Sequence, residues 1–233
     1  MCELMFRLPL VLVGVFSAVT ASGNAKDVVR ILEARYHQAR TLRAEFFERY
    51  SDGHGGGTAE SGTVFFSRPD RMRWDYESPQ QKLFLVDGTN VWYYVPADHV
   101  ASRARVKQSS DWRTPIAFLA GKADLDRFCR SLELANSSSG ASDQPLDPAD
   151  SVLLCSPRNT ADNSQDAIEK VLFEVQPDGF LSRILIRQPG NLQVEFRFGQ
   201  WQENPAIPEI KFHFVPPPGV SIVDEQSLLG SVQ

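Results

Sequence analysis

RPDRMRWDYESPQQKLFLVDGTNVWYYV, residues 68–95, holds three strand-like runs separated by turn signals. In residues 71–77 the alternation is strict: Met72, Trp74 and Tyr76 face one side, and Arg71, Arg73, Asp75 and Glu77 face the other. That is the pattern of an antiparallel strand with one buried face. Ser78-Pro79 turns the chain, KLFLV (82–86) is the next strand, and Asp87-Gly88 is a hairpin signal. In residues 90–95 Trp92 and Tyr94 share one face and Val91, Tyr93 and Val95 the other, before Pro96 stops the run. The stretch contains no nucleophile, metal-ligand set or phosphate cradle. Periodicity leaves open whether its apolar face is plain core or the wall of a cavity.

Working outward, period two persists on both sides. Residues 42–50 and 58–67 read as strands joined by the glycine-rich tip SDGHGGG (51–57), and Arg68-Pro69-Asp70 turns into the opening stretch. Residues 99–107 form a further strand with Arg103, Arg105 and Lys107 on one face. This stripe is either an edge strand guarded by charge or a docking surface for an acidic partner. Towards the C-terminus, residues 128–134, 152–157, 168–176, 181–188, 192–198, 211–215 and 220–223 read as strands. Helical spacing occurs at residues 26–40, where Val28, Ile31, Leu32, Tyr36 and Ala39 make one stripe. A short apolar helix with Ile116, Phe118 and Leu119 is expected after Thr114-Pro115, and a helical turn near 124–127. Roughly ten or eleven short antiparallel strands at even spacing, without βαβ alternation, indicate a mainly β sandwich or barrel in one domain.

The chain has 233 residues and a net charge of −5, which argues against nucleic acid as the partner. Residues 1–25 read as a cleaved export signal: Arg7, an apolar run from Leu8 to Val19 too short to span a bilayer, then small residues. No cysteine follows that run, so no lipid anchor is expected, and residues 26–233 form the mature domain. Cys129 and Cys155 would then remain in an oxidising compartment. They form a disulfide or stand as two buried thiols, and a register that sets Cys129 opposite Cys155 also sets Ser131 opposite Leu153.

Catalytic signatures are weak. His54-Gly55-Gly56-Gly57 is the oxyanion-type run of lipases, but it lacks the Gly-x-Ser-x-Gly elbow that gives it meaning. His37, His99 and His213 have no His or Cys at ligand spacing, and there is no HExxH, CxxC, Walker loop or GxGxxG. An enzyme, a metal site and a cofactor are not expected.

An ordered set of residues resembles the LolA family of periplasmic lipoprotein carriers. It comprises Gly62-x-Val64, Arg68-Pro69, Arg73-Trp74-x-Tyr76, Pro79, Asp87-Gly88, Val91-Trp92-x-Tyr94 and Thr114-Pro115. The tail Lys211-Phe212-x-Phe214-x-Pro216-Pro217-x-Gly219-Val220 is similar to the family's closing segment. The resemblance implies an incomplete, unclosed antiparallel β-barrel with an α lid over a hydrophobic cavity that takes acyl chains. By this resemblance the protein is a soluble, monomeric periplasmic carrier. It would receive lipoproteins from an inner-membrane ABC-type release complex and deliver them to an outer-membrane receptor. The alternative is a periplasmic lipid or lipoprotein sensor on the same fold.

Combined with the alternation, the resemblance makes Met72, Trp74, Leu83, Leu85, Trp92, Tyr94, Ile184, Ile186, Val194, Phe196 and Phe198 the expected cavity wall. Ile116, Phe118 and Leu119 would come from the lid, and Arg68 would control lid opening and transfer. Two features depart from the family pattern: the Ser/Asp-rich loop 135–150 and the cysteine pair.

Overall fold

The computed structural model describes residues 24–106, 124–158 and 168–224. The export-signal reading, all but its last two residues, falls outside them, as does the short apolar helix with Ile116, Phe118 and Leu119. Among the described residues no helix is long and apolar enough to cross a membrane.

Helix α1 (Ala25–Gln38) opens the described chain. The Asn24 side chain caps it by accepting from the Lys26 amide, and Asp27 lies in the first turn, at the positive end of the helix dipole. Val28, Leu32 and Tyr36 are buried, one below the other at helical spacing. Ile31, expected on that stripe, is 40% exposed, because the buried face is narrower than the apolar one.

Strands β1 (Thr41–Ser51), β2 (Gly57–Ser67), β3 (Arg71–Ser78), β4 (Lys82–Val86), β5 (Asn90–Val95) and β6 (Val100–Arg105) follow in chain order. A one-turn helix (Leu125–Phe128) leads into β7 (Cys129–Leu134), and then come β8 (Ser151–Pro157), β9 (Lys170–Val175), β10 (Leu181–Arg187), β11 (Gln193–Glu203) and β12 (Ser221–Asp224). They make a single 12-stranded sheet in the order β12-β6-β5-β4-β3-β2-β1-β11-β10-β9-β8-β7. Its ends, β12 and β7, do not pair with each other, so the barrel is unclosed.

Two expectations for the C-terminal part are corrected. Residues 211–215 are not a strand: a 3-10 segment (Glu209–Phe212) crosses the sheet instead. The last strand, β12, pairs parallel to β6, while every other neighbouring pair is antiparallel. Both follow from the proline-rich connections on either side, which remove ladder donors and let the tail return along the sheet rather than across its edge.

Alternation sorts the sheet into two faces. The inner face carries the main core, including Phe46, Val64, Phe66, Trp74, Ile184, Phe196 and Phe198, and α1 lies on it through Val28, Leu32 and Tyr36. The outer face has two smaller apolar patches, each covered by the chain itself. Leu83, Leu85 and Trp92 lie under Phe212, with Ile207 and Phe214 packed alongside. The polar stripe of β3 pins this tail: Arg73 Nη1 donates to the Lys211 carbonyl at 3.0 Å, Lys211 pairs with Asp75, and Arg71 with Glu209.

The second patch, Val152, Leu172 and Leu185, lies beside a strap made by loop 135–150. Glu174 accepts from the Leu146 and Asp147 amides, and Arg183 donates to the Gln144 carbonyl at 2.8 Å. Arg187 and Lys170 hold Asp143. The Ser/Asp-rich loop thus has a defined structural place.

Cys129 and Cys155 are bonded, with Cα atoms 5.5 Å apart. The register differs from the one expected: Cys129 stands opposite Pro157, Ser131 opposite Ser156 and Leu132 opposite Cys155, with an irregularity between Cys129 and Ser131. That irregularity sits where the one-turn helix runs into β7.

Candidate functional site

The inner face concentrates aromatic rings around Trp74, which is 2% exposed. Phe46 lies 4.8 Å from its ring, Phe196 5.6 Å, Phe198 6.1 Å and Phe66 6.3 Å, with edge-on and tilted geometries. These neighbours come from three other strands, β1, β2 and β11, brought beside β3 by the registers Val64 opposite Trp74 and Phe46 opposite Phe198. A second group joins α1 to the sheet. Trp201 stacks on Phe180 at 5.2 Å and meets Tyr36 at 5.8 Å. The Leu181 peptide satisfies both polar tips, its amide donating to Tyr36 Oη at 3.1 Å and its carbonyl accepting from Trp201 Nε1 at 2.8 Å. Burial pushes the Tyr36 phenol well above its ordinary range.

At the turn end of this face the surface becomes polar. Glu48, Tyr50, Thr58, Glu60, Tyr76, Lys82, Tyr93 and Val194 line a cavity of about 50 Å³. Tyr76 Oη donates to Glu48 Oε2 at 2.9 Å, and Lys82 pairs with Glu60. Burial raises Glu48 to about 7, outweighing the Tyr76 hydrogen bond, while neighbouring Glu60 raises it further and Lys82 lowers it. At the opposite end stands Arg68, half-buried, whose guanidinium is made less basic by desolvation, an effect that Tyr36 partly offsets.

Of the expected wall residues, Met72, Trp74, Ile184, Ile186, Val194, Phe196 and Phe198 do come together on the inner face. Leu83, Leu85, Trp92 and Tyr94 do not; they belong to the outer cluster under the C-terminal tail. The register gives the reason. Trp74 stands opposite Phe84, and residues directly opposite share a face, so Leu83 and Leu85 face with Asp75 and Arg73. Leu85 then stands opposite Trp92 and Leu83 opposite Tyr94. The inner positions are instead Phe84, Val86 and Val91. KLFLV is apolar on both sides and gives no alternation to read, but a turn centred on Pro79 pairs Trp74 with Phe84 and carried the signal.

Two other readings settle here. The HGGG run is a hairpin tip closed by Asp52, whose carboxylate accepts from the His54 and Gly56 amides at 2.8 and 2.9 Å. Of the basic stripe on β6, Arg103 is engaged by Asp224 at 2.7 Å and lies over the Trp92 ring, so the chain's own tail occupies it. Lys107 lies outside the described residues. Among the described residues no group of His, Cys, Asp and Glu could hold a metal ion. The inner face offers broad apolar walls, ring edges and few directional bonds, which suits enclosure of hydrocarbon.

Residues 37–215 match the family model described as outer membrane lipoprotein carrier protein LolA. The outer-membrane lipoprotein carrier protein of Nitrosospira multiformis is 27% identical over 198 residues, covering 83% of this chain and 87% of that one. Its counterpart from Methylobacillus flagellatus is 28% identical over 200 residues, covering 85% and 90%. Among solved structures, an uncharacterized conserved protein from Thermus thermophilus has a TM-score of 0.51 at 10% identity, covering 86% of this chain and 99% of that one. That last likeness is one of fold.

Proposed function

The chain belongs to the LolA family, and on that premise we propose that it is a periplasmic carrier that encloses the acyl chains of lipoproteins on the inner face of its sheet. In this reading it takes them from an inner-membrane ABC-type release complex and yields them to an outer-membrane receptor, with no catalytic step. The observation that carries the reading is the inner face itself, an aromatic and aliphatic surface gathered on an unclosed sheet and covered by a helix held through three buried side chains.

The energetics fit this use. Each methylene removed from water is worth ~0.8 kcal/mol, so a sixteen-carbon chain left exposed costs on the order of 10 kcal/mol. A protein that ferries such chains must replace the methylene contact with few directional bonds, so that handover to another apolar surface is nearly isoenergetic. Ring edges and branched aliphatics do this. The cover must also lift. Helix α1 is held by Val28, Leu32 and Tyr36 and by Arg35, which pairs with Glu203, and Tyr36 bears on the Arg68 guanidinium. In this reading Arg68 biases that cover, the role in transfer that the family resemblance implies for it.

The test is release from membranes. Mature protein incubated with spheroplasts should bring newly made lipoproteins into solution as a stable complex. Folded protein that leaves all of them on the membrane would refute the carrier reading.

A further inference from the structure

Among the described residues, two buried donors near the carrier's inner face lack an acceptor. Trp74 Nε1 and Arg68 Nη2 are both shut off from solvent, and neither meets a hydrogen-bond partner. The orphaned oxygens elsewhere, Glu174 Oε2 and Glu195 Oε2, belong to the outer network, where Arg183 and Arg49 answer their charge at 2.7 and 2.9 Å. Arg183 Nε faces that same Glu174 oxygen, so among the described residues the unmet groups beside the inner core are both donors.

An N–H sealed from water without a partner is uncommon in native proteins and costly to keep. Tryptophan is chosen for such a place only if its N–H has something to do, since phenylalanine fills a similar space without the penalty. Ring faces are weak substitutes for an acceptor. A resident water needs two or more polar partners, and Phe46, Phe66, Phe196 and Phe198 around the indole provide no polar atom. The missing partner must therefore arrive with the ligand. It must carry an acceptor, bring no donor of its own into the apolar interior, and sit on hydrocarbon.

We propose that Trp74 donates to a carbonyl oxygen at the head of an acyl chain, so that the inner face recognises acyl linkages, ester or amide, rather than hydrocarbon as such. Arg68 Nη2 offers a second donor of the same sign near Tyr36. The proposal rests on the acyl-carrier reading and adds to it a specificity-determining residue.

The test compares radiolabelled dioctanoylglycerol with its dioctyl ether, which has the same chain length and no carbonyl, by equilibrium dialysis against the full mature chain. The parent should bind the diester roughly tenfold more tightly, the worth of one hydrogen bond to a buried donor. Trp74→Phe should bind both probes alike, near the affinity of the ether. Trp92→Phe should keep the preference, because that indole lies in the outer cluster and donates to Asp87 at 3.1 Å. In infrared spectra the isotope-labelled ester carbonyl should move to lower wavenumber on binding the parent, and less so on binding Trp74→Phe.

Equal binding of both probes by the parent, or a preference that survives in Trp74→Phe, overturns the proposal and leaves the carrier reading intact. Binding of neither probe overturns both. Should Trp74→Phe fail to fold, the parent's spectrum decides alone: an unshifted carbonyl band in the bound diester overturns the proposal.

Discussion

Replacing Glu48 by glutamine should make the protein more stable at alkaline pH and leave it unchanged in acid. Glu48 is only 9% exposed, on the inner face, and burial raises it from an ordinary value of 4.5 to about 7. The folded protein therefore holds this proton more tightly than the unfolded chain does. Its favourable contribution is complete below pH 4.5 and is lost as pH rises through 7, because ionisation must then occur in a poorly solvated place. A difference of two to three pKa units corresponds to about 3 kcal/mol once both states are ionised. Glutamine keeps an acceptor for Tyr76 Oη and cannot ionise. Stability from urea denaturation, taken as parent minus Glu48→Gln, cancels the titration of groups the two proteins share. That difference should be near zero at pH 4.5, fall by up to about 1.4 kcal/mol per pH unit, and level off above pH 7. The neighbours facing Glu48 are Glu60, Lys82, Tyr76 and Tyr93; Glu60 raises its value and Lys82 lowers it. A difference that stays flat between pH 5 and 8 would refute the claim that burial dominates this carboxyl.

Further outcomes test the two faces and the staples. Leu85→Ala should cost about 3 kcal/mol in urea yet leave acyl capture unchanged, because Leu85 packs under Phe212 on the outer face; loss of capture at parental stability would contradict that placement. Gly62→Ala should be destabilised by about 3 kcal/mol, since a Cβ there would lie 1.9 Å from the Asp75 carbonyl oxygen, at a register irregularity where the backbone has no room to give. A Gly62→Ala protein with parental thermal stability would mean the bulge can relax. Reduction of the Cys129–Cys155 bond, which closes a separation of 26 residues, should lower stability by about 3 kcal/mol. A thiol titration of the oxidised, unfolded mature chain should find no free thiol, and two free thiols would rule the bond out.

Much of this fold was legible in the sequence, and the misses have physical causes. The strict alternation of β3 placed Trp74 and Met72 on one face, and the structure keeps them there. The same logic worked for β11, where Val194, Phe196 and Phe198 alternate with Gln193, Glu195 and Arg197. It failed on β4, whose last four residues are all buried. A strand covered on both sides carries no contrast, so its facing must come from the turn that precedes it. Tail residues 211–215 were misread for a related reason: an apolar run beside prolines looks like a strand, but Arg73 and Asp75 hold it as a cover rather than a neighbour. Arg68 as a gate, by contrast, came from the resemblance alone; nothing in its local pattern distinguishes it from a turn residue.

That misreading points to a property of the whole sheet. A surface able to enclose acyl chains is a hazard if the protein has more than one, since lipid held on the wrong face cannot be sealed from water. The outer face carries two apolar patches, and each is covered by a segment of the same chain. The covers are fastened by charge: Arg71 with Glu209 and Lys211 with Asp75 for the tail, Asp143 with Arg187 and Lys170 for the strap. The cover on the inner face combines both kinds of contact: α1 packs through Val28, Leu32 and Tyr36, and its Arg35 pairs with Glu203 at 2.6 Å and donates to the Asp178 carbonyl at 2.9 Å. A hydrocarbon ligand competes with apolar contacts and leaves ion pairs alone, because it offers a charge nothing. The outer covers thus add to their apolar packing a set of ion pairs that lipid cannot replace. On the proposed carrier reading, the charged residues at alternate positions of β3 and β10 serve binding by pinning these covers over the outer patches.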